Sequence, residues 1–150
     1  MTDIYGMETP RIFTPPLREL TPDTSIGFEV IEFSKHVLDI ELLPWQKWLV
    51  IHALEVVDDP VDGWRLRFKN VQVLVARQNG KTTLSCVIAL YFLYQLEVAL
   101  VLGTAQDVSN AEDVWQHVVD MAQEMRRRPG VLRVNICSGF FHANIEEQGV

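Results

Sequence analysis

The chain is short of positive charge. Thirteen Lys and Arg stand against twenty Asp and Glu, a net charge of −7 with a pI near 5.0. So acidic a surface repels phosphate backbone, which argues against autonomous, non-specific DNA binding. DNA contact would need a local basic patch or a further part of the protein. Cysteine is scarce as well. Cys86 and Cys137 lie far apart in apolar segments, giving neither a disulfide framework nor metal-ligand spacing and pointing to a reducing cytosol. The four histidines, His36, His52, His117 and His142, form no H-x-x-x-H pattern. Long apolar runs are missing too. The longest uncharged stretch, 82–96, ends at Glu97, short of the ~20 residues a membrane span needs; it reads as a buried core helix. The first residues lack a basic region followed by an apolar core, so no signal peptide is read.

What remains is an ordinary globular composition, 48% hydrophobic and 22% charged over 150 residues. That is enough to bury a core, and the length suggests one domain. Residues 1–25 carry Pro10, Pro15, Pro16 and Pro22 and read as an extended arm. Helical spacing of Phe28, Ile31, Val37, Leu38 and Leu42 predicts a helix over 28–42. Pro44 suits the first turn of a second helix, carried by Trp45, Trp48, Leu49, His52, Ala53 and Val56 to a stop before Asp58-Asp59-Pro60. After a turn at Gly63, "WRLRFK" alternates as a half-buried strand.

"VQVLVA" (71–76) and "VALVLG" (98–103) are uncharged and rich in β-branched residues, as expected of strands buried on both faces of a parallel sheet. A helix over 81–96 separates them. A second long helix follows, with capping-box spacing at Ser109 and Glu112 and a stop at Pro129-Gly130. "VLRVNI" (131–136) reads as a third strand, and "FFHANIEE" as the start of a fourth. The order is alternating α/β with right-handed crossovers. The expected fold is a P-loop NTPase-type partial parallel sheet with flanking helices, preceded by two helices and the arm.

The chemistry concentrates in "VARQNGKTT" (75–83). A phosphate cradle needs convergent backbone N–H groups, a helix start behind them and a cation. Gly80 lets the backbone approach phosphate closely, Lys81 supplies charge to the β/γ oxygens, and the Thr82 hydroxyl suits magnesium. The general pattern wants a glycine at position 75, where this chain has Val75. Arg77 would put a second, planar cation beside the phosphates.

This segment resembles the variant phosphate loop of bacteriophage terminase large subunits, the ATPases that package DNA. That family often has an arginine two residues into the loop and lacks the first glycine. "LLPWQKWLV" is similar to its adenine-side motif, which would make Gln46 the adenine-binding amide. "VLGTAQDVSNAEDVW" resembles a helicase-like coupling segment, with Thr104 and Gln106 at its polar positions. The likeness covers about residues 40–150.

The resemblance implies that residues 26–150 are the N-terminal part of a P-loop ATPase domain. Gln46, Gln78, Asn79, Gly80, Lys81, Thr82 and Thr83 would bind ATP, Thr82 would hold Mg2+, and Lys81 with Arg77 would act on the γ-phosphate. It further implies double-stranded DNA, a small subunit, a portal and further copies in a ring as partners, in the host cytoplasm and without a membrane.

Hydrolysis also needs an acidic pair at the end of an apolar strand. "ALEVVDDP" (53–60) is the nearest stand-in, but its spacing reads as a helix end. The second family domain, a nuclease, is not seen. Two rival readings stay open: another P-loop translocase or helicase, and a non-catalytic nucleotide-binding fragment. The Arg65, Arg67, Lys69 face reads as solvated, and Arg126–Arg128 as a helix end favoured by the dipole.

Overall fold

A computed structural model describes residues 8–127, 134–137 and 142–145. The chain divides into two compact units, Met1–Val75 and Ala76–Val150.

In the first unit, α1 (Gly27–His36) packs on α2 (Pro44–Ala53). α1 is shorter than its periodicity suggests. It closes at Val37, and Asp39 then takes a left-handed φ of 60°, which no helix can continue. The two helices meet at Gly27, where an added Cβ would overlap the Val50 carbonyl. Ser25, fully buried, serves both helices. Its hydroxyl donates to the Ile51 carbonyl at 2.6 Å and accepts the Gly27 N–H at 3.1 Å. Val30, Phe33, Leu42, Val50 and Leu54 fill the space between.

The segment read as the end of the second helix is a strand instead. α2 stops at Ala53, and β1 (Val56–Asp59) pairs antiparallel with β2 (Gly63–Leu66), Val56 opposite Leu66 and Asp59 opposite Gly63. Val56 does sit at helical spacing from Trp45, Trp48 and His52. But Val56-Val57 is β-branched, and pairing with Trp64–Leu66 gives those residues a ladder a helix would not. Gly63 turns the hairpin at φ 80°. Asp59 closes the turn, accepting the Val61 N–H at 2.9 Å and the Asp62 N–H at 3.2 Å, with Arg65 Nε at 3.4 Å.

Glu55 is the only acidic side chain among the buried described residues. Its Oε2 accepts from Arg67 Nη1 at 2.6 Å and its Oε1 from the Leu17 N–H at 2.9 Å. Arg67 Nη1 also donates to the Pro15 carbonyl at 2.9 Å, and Arg18 Nη2 reaches the Val56 carbonyl at 3.1 Å. The arm is thus fastened across the hairpin. Phe13 adds an edge-on contact to Trp48, 5.1 Å between ring centres, and Trp48 stacks on His52 at 3.7 Å. Arg67 is therefore a structural residue, not part of a solvated basic face.

In the second unit, α3 (Lys81–Tyr94) packs on α4 (Val108–Arg126). α3 buries Leu84, Cys86, Val87, Ala89, Leu90, Tyr91 and Leu93. Trp115, Val118, Ala122 and Met125 of α4 are buried at spacings of three and four, one helix face. α4 starts two residues earlier than the Ser109–Glu112 spacing suggests. Asp107 is its cap, accepting the Asn110 N–H at 2.9 Å. Trp115 Nε1 reaches the Gly103 carbonyl at 3.4 Å, and a Cβ at Gly103 would overlap the indole. Burial pushes the Cys86 thiol up from its ordinary value. β3 (Val134–Cys137) pairs antiparallel with β4 (His142–Ile145).

The expected parallel sheet is not formed. Residues 71–76 and 98–103 join no ladder, and the described sheets are two antiparallel hairpins. Their apolar side chains stay in water: Leu74 is 99% exposed and Leu102 77%. Uncharged β-branched runs specify a need for burial but not a partner, and a parallel strand has none within its own hairpin. The described residues thus form a helix-rich fold with two small hairpins. Among the described residues, no helix is long and apolar enough to cross a membrane.

Two outcomes follow from the hairpin. Replacing Arg67 by Met leaves the buried Glu55 charge without its cation, so urea unfolding of the first unit should show a loss of ~3 kcal/mol or more. The pair Glu55→Gln with Arg67→Met should lose clearly less than the two single changes added together; additive losses would show that the pair does not couple. The turn N–H groups of Val61 and Asp62, with Arg65 behind them, hold the Asp59 carboxyl below its ordinary value. The unfolded chain then binds that proton more tightly. The stabilisation is full above about pH 4 and disappears as pH falls through the lowered folded value. The stability gap between the protein and Asp59→Asn should accordingly narrow on acidification from pH 5 to pH 2.

Candidate nucleotide-binding loop

The segment from Arg77 to Thr83 lies in the second unit, where it leads into α3. Gly80 is the N-cap residue, with φ 74° and ψ 23°. Two residues earlier Gln78 also has a left-handed φ, 62°. Arg77 and Asn79 keep negative φ, so the sign alternates along the loop. Such alternation turns successive backbone N–H groups toward one side, a concavity suited to an anion. The Asn79 amide donates across the loop to the Ala76 carbonyl at 3.4 Å. Gln78 has a Cβ, so its left-handed backbone carries a strain of about 1 kcal/mol.

α3 has no side-chain cap and no acidic residue in its first turn. The positive end of the helix dipole is therefore not offset by an acidic side chain on that turn. Arg77, Lys81, Thr82 and Thr83 are all exposed there. The Ser85 hydroxyl turns back to the Lys81 carbonyl at 3.0 Å. Behind this polar end the helix is almost wholly apolar, and Leu84, Cys86 and Val87 anchor it. The helix thus carries an exposed ammonium and two exposed hydroxyls on its first turn. Those are the donor types a triphosphate with magnesium takes up: backbone N–H and ammonium for the anion, a hydroxyl for the metal.

The other expected site residues are placed differently. Gln46 belongs to the first unit, in the first turn of α2. It is buried, and its amide oxygen accepts the Leu43 N–H at 2.7 Å, closing the start of that helix. Pro44 at the first position leaves one fewer N–H to satisfy. Gln46 thus has a structural function that an amphipathic reading of the helix does not reveal. Thr104 and Gln106 are exposed in the segment before α4.

Asp58 and Asp59 do stand at the end of a strand, β1, not of a helix. Their strand is half of an antiparallel hairpin, however, and Asp59 is bound to its own turn. Among the described residues, no group of three or more His, Cys, Asp or Glu side chains is arranged to hold a metal. Magnesium bound mainly through nucleotide phosphates and one hydroxyl does not require such a group.

Sequence reasoning overlooked Glu55 and the capping role of Asp107, a carboxylate that lies too far past residues 98–103 to serve as the acidic pair. Glu55 was visible as a lone acid between Leu54 and Val56, and Asp107 as the first capping side chain ahead of the α4 periodicity. Comparison with protein-family models, curated proteins and solved structures gives no match.

The loop geometry is open to a direct check. Gly80→Ala forces a Cβ into the left-handed region and should destabilise the second unit by ~1–2 kcal/mol in denaturant melts. Gln78→Gly removes strain and should be much milder. Equal losses in the two variants would mean that Gly80 does not hold this backbone in solution.

Proposed function

We propose that the chain is the ATP-binding portion of a viral DNA-packaging terminase large subunit. The observation that supports this most is the head of α3: a left-handed Gly80 followed by exposed Lys81, Thr82 and Thr83, with Arg77 in the same loop. In this reading the loop N–H groups and Lys81 take the phosphates, aided by Gln78, Asn79 and Thr83. Arg77 lies toward the γ-phosphate. Thr82 ligates Mg2+, which when bound neutralises charge on the phosphate oxygens. The resemblance would make Gln46 the adenine-side amide, and its oxygen already accepts the Leu43 N–H. In the intact protein, ATP turnover would drive double-stranded DNA into a prohead, with a small subunit, a portal and further copies in a ring as partners.

A second reading is nucleotide binding without turnover by this chain. The state of Asp59 favours it. The one acidic pair at a strand end in the described residues has a carboxylate already engaged by two N–H groups and Arg65, not poised to activate water.

Titration of the chain with ATP and Mg2+ tests the proposal. Saturable binding is expected, weakened about tenfold or more in Lys81→Ala, as for loss of a charge-assisted hydrogen bond of ~1.5–3 kcal/mol. No binding, or equal affinity in the variant, would overturn it. Phosphate release by the wild-type chain would remove the second reading.

A further inference from the structure

We draw no further inference here: the strongest candidate, the exposed apolar side chains of Val71, Val73, Leu74, Val98, Leu100 and Leu102 flanking α3, carries nothing because nothing in the structure shows what covers them.

Discussion

The Glu55 carboxylate lies out of water where three stretches of chain converge: the arm, the end of α2 with β1, and the residues after β2. Removing a carboxylate from water costs several kcal/mol, which only good geometry and full hydrogen bonding offset. Arg67 meets one oxygen and the Leu17 N–H the other. Because the same guanidinium holds the Pro15 carbonyl, the arm cannot lift away without disturbing the ion pair. The backbone reinforces it, since the Arg67 N–H donates to the Glu55 carbonyl at 2.8 Å. Antiparallel pairing of β1 and β2 is what brings residues 55 and 67 opposite each other. One buried charge therefore ties hairpin register, strand direction and the course of a proline-rich arm to a single arrangement.

The second unit is organised without such a charge. α3 is apolar on nearly all sides and α4 on one, so burial alone decides their pairing. Small residues set the closest approaches, as where Gly103 admits the Trp115 indole against the backbone. The same α3 whose apolar length buries it in the core brings its N-terminal turn to the surface, with Lys81 and Thr82 exposed on it. Core packing and the proposed anion attraction thus belong to one helix.

Features fixed by neighbouring residues were legible in the sequence. Pro44 starts α2, Gly63 turns a hairpin, and Gly80 precedes α3; each depends on a backbone angle that the residue type itself restricts. Features fixed by a distant partner were not. Val56 fits a helical period and a strand equally well, and only Leu66 across the ladder decides between them. The runs 71–76 and 98–103 have the composition of central strands, yet composition carries no information about the neighbour that would hydrogen-bond them. Arg67 alternates into the outward face of "WRLRFK", which hides its pairing with a carboxylate twelve residues earlier. For the candidate site the division is similar. The loop and its helix start were readable from seven consecutive residues. The helix-closing bond of Gln46 was not, because an exposed and a buried glutamine look alike in sequence.

The loop separates two abilities that are often treated as one. Holding a polyphosphate needs convergent N–H groups and a cation, which in the proposed reading come from Arg77–Thr83. Cleaving it needs in addition a carboxylate free to orient water and a metal held against the leaving oxygens. Asp59 does not meet that need, since its lowered proton affinity arises from hydrogen bonds that close its own turn. A carboxylate so engaged is a poor base, and freeing it would open the hairpin to which Arg67 and Glu55 are fastened. On physical grounds the binding half of the proposed chemistry would be local to one helix end, while the hydrolytic half would require a carboxylate with no structural bond to lose.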